Sequence, residues 1–276
     1  MLMNHVDSAT DIAHLAAGFA ERRDSAISGV ALELPQQRPL LQFFLQGSYS
    51  MCRLTSERDW EPVPGAAVWG ASRIARLGRS ESPLRVFVVI LTQVGLSTLT
   101  RSSPAALDGE RIAFRDIWPR ESSLPDRIVE APGFGARVDI VTDWLRRSPG
   151  PSRQHRTLLL ADHIADGLLR GPVSVLARRT GQDLRTLRRR FRAALGSGPK
   201  ASLRFARLQR ALSQLHPRPW SGATREDVLL EYFDDAHFSK DFLRLATISP
   251  HQYRQAKLKF GDPLVNTVYG WSATNG

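Results

Sequence analysis

The chain has very little cysteine. Cys52 is the only one in 276 residues, so no internal disulfide can form, and such scarcity points to a reducing, cytoplasmic setting. Long apolar runs are also missing. The longest, Val86 to Leu91, falls far short of the roughly 20 residues that cross a bilayer. The opening Met1-Leu2-Met3-Asn4-His5-Val6-Asp7 has no basic stretch leading into an apolar one, so no secretory signal and no membrane association is expected. Histidine is absent between His14 and His155, which excludes a histidine-based metal centre over that region. There is no Gly-x-Ser-x-Gly elbow, no Gly-rich phosphate loop and no cysteine cluster. The expectation is a protein with no catalytic site, no cofactor and no metal. Lysine is scarce as well, occurring only at positions 200, 240, 257 and 259.

What the chain does have is arginine, unevenly placed. Residues 1–150 hold 17 Lys+Arg against 17 Asp+Glu, whereas residues 151–276 hold 21 against 10, so the whole net charge of +11 lies in the second part. A neutral part joined to a basic one suggests that only the C-terminal part meets a polyanion.

The best linker is 148–155, around Ser148-Pro149-Gly150-Pro151-Ser152, with two prolines, a glycine and two serines between helical patterns. Before it, residues 1–147 read as a β-rich effector or dimerisation domain. Short apolar strands at Leu40 to Leu45, Ala66 to Trp69, Leu84 to Leu91 and Ile112 to Phe114 alternate with Gly and Pro punctuation, which favours a sandwich or small barrel. Tyr49 to Leu54 also reads as a strand, which would bury Cys52. A short helix is expected around Asp11 to Arg22, and another from Val138 to Arg147 with Val138, Val141, Trp144 and Leu145 on one face. That stripe suits packing on its own domain or a contact between copies. After the linker the pattern is helical, giving an α+β chain. The tail, 261–276, has weak patterning and is expected to be loosely ordered.

The C-terminal part contains an approximate duplication offset by 51 residues. Leu187-x3-Phe191 matches Phe238-x3-Phe242, and Pro199 matches Pro250. In each half an apolar pair at i and i+4 buries one face of a helix, a turn follows, and a proline suits the first turn of the next helix. Short apolar segments precede each, Val173 to Ala177 and Asp227 to Leu230, so the pattern is helix-turn-helix twice, over about 173–194 and 226–246. Pro199 to Leu215 reads as one longer helix between them. In the first half Asp183 can cap the inner helix. Leu184, Leu187 and Phe191 then face the core, while Arg185, Arg188, Arg189 and Arg192 project outward. Such a helix fits the DNA major groove, where arginine can pair with guanine O6 and N7. In the second half Asp234 and Asp235 suit the helix N-terminus, and Ala236, His237, Ser239, Lys240 and Arg244 are placed to face outward.

The stretch Tyr232-Phe233-Asp234-Asp235-Ala236-His237-Phe238-Ser239-Lys240-Asp241-Phe242, followed by Ile248-Ser249-Pro250-His251-Gln252-Tyr253-Arg254, resembles the signature of the AraC/XylS family of transcriptional regulators. Leu176 to Gly181, Leu187 to Phe191 and Gly196 to Pro199 are similar to that family's first half. The resemblance covers about 156–258. It implies two helices entering successive major-groove segments, about one turn of DNA apart. Carried over by position, it implies base reading by Arg185, Arg188, Arg189, Asp235, Ala236, Ser239 and Lys240, with phosphate contacts from Arg178, Lys200 and Arg204. It also implies a β-rich, cupin- or jelly-roll-like sensing domain ahead of the DNA-binding one. The expected partners are double-stranded DNA and a small-molecule effector, with RNA polymerase and a second copy of the chain as further candidates.

The chain departs from the family where glycine is usual and it has Glu231 and Thr247. A β-branched residue held at φ > 0 is strained by about 1–2 kcal/mol. Thr247→Gly should therefore raise the melting temperature; a lowered or unchanged value would contradict that backbone reading. Two other functions fit the same C-terminal part. A DNA-repair enzyme would need Cys52 to be reactive, and a regulator that senses nothing would depend on abundance alone.

Overall fold

The computed structural model describes residues 2–24, 29–33, 35–53, 59–80, 82–148, 156–215, 232, 235–246 and 249–252. The linker's Pro149 to His155, the segment 226–231 that would open the second helix-turn-helix half, Asp234, Thr247, Tyr253, Arg254 and the tail 261–276 lie outside them.

The N-terminal part is two antiparallel sheets. Its strands are β1 (Leu2–Asp7), β2 (Ala16–Asp24), β3 (Gly29–Glu33), β4 (Leu40–Gln46), β5 (Ser50–Arg53), β6 (Glu61–Pro62), β7 (Ala66–Trp69), β8 (Arg76–Ser80), β9 (Leu84–Leu91) and β10 (Arg111–Ala113). One sheet runs β1-β2-β9-β4-β7-β10 and the other β3-β8-β5-β6. The near-continuous apolar sequence of β9 has a simple cause: both of its faces are covered. Phe87, Val89 and Leu91 pack with Phe19, Phe43 and Phe114 under a helical layer, while Leu84, Val86, Val88 and Ile90 face the sandwich interior with Tyr49, Met51 and Trp69. Cys52 lies on β5 and is buried.

The helical layer consists of α1 (Gln93–Thr100), α2 (Phe114–Ile117), α3 (Leu124–Glu130) and α4 (Phe134–Arg146). In α4, Val141, Trp144 and Leu145 are buried in the chain's own core, beside Phe114 and Trp118, so the expected stripe packs on its own domain. The helix expected around Asp11 to Arg22 is a strand from Ala16 onward. Pairing with both β1 and β9 sends Phe19 and Glu21 to the helical face, where Glu21 meets Arg85 and Arg137 at 2.6 and 3.1 Å. Tertiary pairing, with period 2, overrides the helical look of the local sequence.

The C-terminal part holds α5 (Arg156–Ala165), α6 (Val173–Thr180), α7 (Leu184–Leu195), α8 (Pro199–Leu215) and α9 (Asp235–Ala246). Leu158, Ala161 and Ile164 of α5 form one cluster with Leu176, Leu187, Phe191 and Ala206, and Val94 of α1 belongs to the same cluster. The β-rich part and the first helix-turn-helix thus share a core. At this junction Asp162 caps α1, accepting from the Gln93 and Val94 backbone N–H groups at 2.7 and 3.2 Å. The buried guanidinium of Arg38 lies 3.5 Å from the same carboxylate and also pairs with Asp166.

Candidate nucleic-acid interface

Helix α6 starts after Pro172, whose backbone is extended, and ends at Gly181 with φ 63. The chain then turns through Gln182 into Asp183, whose side chain accepts from the Thr186 N–H at 2.9 Å. This is the expected cap, and it starts α7 at the next residue. Leu187, Phe191 and Leu195 are buried along one side of α7. Arg185, Arg188, Arg189, Arg190 and Arg192 are all exposed. Among the described residues none of the five is salt-bridged to a carboxylate; Arg190 instead donates to the Gln182 side chain at 2.9 Å. One expectation fails: Leu184 is 38% exposed rather than in the core, because the first residue of α7 projects into the cleft beside it.

Helix α9 has bounds displaced from those of α7 by the 51 residues of the repeat at both ends. Ala236, Ser239, Lys240 and Arg244 are exposed, while Asp241 and Phe242 are buried. His237 is half-buried and sits edge-on to Tyr232 at 5.3 Å. Arg178 and Lys200 are exposed. A cleft of about 490 Å³ lies between the halves, and its basic wall is formed by Arg188, Lys200, Arg204 and Arg207.

Sequence reasoning missed the residue that seats α9. Asp241 is buried and faces three cationic or titratable groups: Arg204 Nε at 3.0 Å, Arg207 Nη1 at 3.9 Å and His237 Nε2 at 3.8 Å. Arg204, placed by resemblance among the phosphate contacts, therefore also ties α8 to α9. The signal was present in the repeat: the position matching Asp241 in the first half is Arg190, so an acid stands where its counterpart is basic.

The interior of the β-sandwich holds a second polar group. Glu33 is buried, with the Tyr49 hydroxyl and the guanidiniums of Arg22, Arg76 and Arg111 close enough to favour its charged form. Burial pushes its carboxyl up to about 7 against the opposing pull of Tyr49 and the arginines. Nearby, the buried indole N–H of Trp69 has no hydrogen-bond acceptor among the described residues. A small cavity of about 20 Å³, room for about one water, touches Glu33, Trp69, Arg76 and Arg111. Below pH 4.5 the Glu33 carboxyl is protonated in folded and unfolded chains alike. Between 4.5 and about 7 only the unfolded chain ionises, so stability is lost across that window. Glu33→Gln, always neutral, should exceed the wild type by about 3 kcal/mol near pH ~8 and by little near pH ~4.5. Thermal melts at the two pH values check this, and a pH-independent difference would contradict it.

In sequence, residues 176–256 match a protein-family model described as a helix-turn-helix domain. No curated protein matches the chain. Among solved structures it is similar to ToxT from Vibrio cholerae, at 9% identity and a TM-score of 0.43, covering 86% of this chain and 98% of that one. The apo form of a substituted ToxT gives 9% identity, a TM-score of 0.46 and coverage of 90% and 98%. The wild-type protein bound to an unsaturated fatty acid gives 9%, 0.43, and 84% and 96%.

Proposed function

We propose that this chain, which carries a helix-turn-helix domain of the AraC type over residues 176–256, is a sequence-specific DNA-binding regulator of transcription. Residues 156–258 would bind DNA and residues 1–147 would modulate that binding. The observation that carries this reading is the arginine face of α7: exposed guanidiniums with no carboxylate pairing among the described residues, on a helix whose opposite side is packed into the core. Bidentate pairing of one arginine with guanine discriminates by about 1–3 kcal/mol. We assign base reading to Arg185, Arg188 and Arg189 on α7 and to Asp235, Ala236, Ser239 and Lys240 on α9. Arg178, Lys200 and Arg204 are assigned to phosphates, which position the protein without specifying sequence.

A small molecule or partner acting on the β-rich part would modulate binding, and what supports this is the shared core at α1 and α5 together with the polar interior around Glu33. The cavity there is about 20 Å³, so a ligand larger than a water would require lining side chains to move. RNA polymerase and a second copy of the chain are the further partners this reading suggests. Nothing favours the repair reading, whose one thiol, Cys52, is 3% exposed.

Selection of fragments from random DNA by the full chain, at stated salt, tests the proposal. A recurring site of about 15–20 base pairs is expected if both halves read DNA, whereas retention without sequence preference would leave only electrostatic binding. Within a confirmed site, Arg188→Ala should relax preference at one or two base positions by about 1–3 kcal/mol. Lys200→Ala should weaken all sequences evenly and lower the salt slope by about 1. The reverse pattern would overturn the assignment of reader and anchor.

A further inference from the structure

The C-terminal end of α7 is not held by its own domain alone. The last carbonyls of a helix have no partner within it. Here the N–H of Gly196, at φ 68, returns to the Arg192 carbonyl. The next three carbonyls face side chains of the β-rich part, with one hydroxyl proton shared between the first two. Ser103 Oγ donates towards the Ala193 and Ala194 carbonyls at 3.4 and 3.1 Å, and Arg73 Nη2 donates to the Leu195 carbonyl at 2.8 Å. A cation at this end also meets the negative pole of the helix dipole. Arg73 is steered by Asp108, 3.3 Å away.

Both gripping residues sit on a stiff frame. Ser103 caps the short 3-10 helix Pro104–Leu107, which lies against the end of α7 beside Gly196. Arg73 belongs to the β7–β8 connection, which is tied to its neighbours by paired backbone bonds between Gln36 and Ser72 and by Gly109 N–H to the Ala71 carbonyl at 2.6 Å. At Gly70 a Cβ would stand 1.6 Å from the Leu107 carbonyl oxygen, so this connection and the 3-10 helix approach as closely as backbone can. Trp69, Gly70, Ser72 and Arg76, around the same connection, wall the cavity near Glu33.

We propose that Arg73 and Ser103 are positioning residues for DNA reading: through them the β-rich part sets where the arginine face of α7 stands. The inference rests on the assignment of α7 as a base-reading helix, and the test separates the two. The full-length wild type, Arg73→Ala, Ser103→Ala and the conservative Arg73→Lys each select sites from random DNA, and the melting temperature of each protein is recorded. If the wild type selects no recurring site, base reading fails and the inference falls with it. If it does, Arg73→Ala should lose about tenfold in affinity, the size of one charge-assisted hydrogen bond. Its base preference should relax only in the half of the site assigned to α7, with the other half unchanged and the melting temperature lowered by no more than a few degrees. Ser103→Ala should show the same pattern more weakly, and Arg73→Lys should restore most of the preference. Unchanged base preference in both alanine variants, or an equal loss across both halves, would overturn it.

Discussion

Asp162→Ala should lower the stability of the chain by about 3–5 kcal/mol, the cost of removing one partner from a buried charged pair. The carboxylate is almost wholly inaccessible and accepts from the first two N–H groups of α1 while facing the buried Arg38. Burial holds the Asp162 carboxyl above its ordinary value, and Arg38 and the two amides oppose that rise. Buried ion pairs as a class bring little net gain over apolar contacts, yet breaking one by removing a single partner is costly. Alanine would take that acceptor from two helix-start N–H groups and one carboxylate from Arg38, which keeps its pairing with Asp166. Because Asp162 lies on α5 and its partners on α1 and near β4, the loss should fall on the junction between the β-rich part and the first helix-turn-helix. Urea unfolding followed by tryptophan fluorescence checks the magnitude. A change below about 1 kcal/mol would show that the apolar contacts around Val94 hold the junction by themselves.

The second large effect is expected at Asp241. Its removal takes away the buried counter-charge of Arg204 and Arg207 and unties α9 from α8. Asp241→Ala should therefore abolish base preference in the half of a selected site read by α9 and leave the half read by α7 intact. Arg207, released from the carboxylate, becomes available to a phosphate beside Arg204, which is already assigned to one, so the salt dependence should steepen by about 1 in slope. Loss of sequence preference with a stronger electrostatic component is a signature that simple unfolding would not produce. A footprint equal to that of the wild type would show that the apolar contacts of Phe238 with Tyr232 and with Phe242 suffice to hold α9.

The arginine face of α7 was legible because it needs only local information. Asp183 followed by Leu187 and Phe191 sets a capped amphipathic helix, and the remaining positions must face outward. Leu184 was misjudged for the same reason: periodicity places it on the apolar side, but the end of a helix borders a cleft, not a core. The strands at 40–46, 66–69, 84–91 and 111–113 were readable from apolar runs between turn residues. Strand β2 was not, since only its pairing with β1 and β9 explains why Glu21 and Arg22 lie buried.

By itself the sequence determined the class of protein: a neutral β-rich part, a basic helical part, and a doubled helix-turn-helix pattern whose spacing and arginines suit DNA. These follow from composition, period and capping, which act within a few residues of one another. The tertiary structure alone decided how the parts are joined. Asp162 with Arg38, Asp241 with Arg204, and Arg73 with the Leu195 carbonyl are each far apart in the chain or on separate elements. A buried charge is tolerated only where folding brings it a partner, and no local pattern in the sequence says which partner that is.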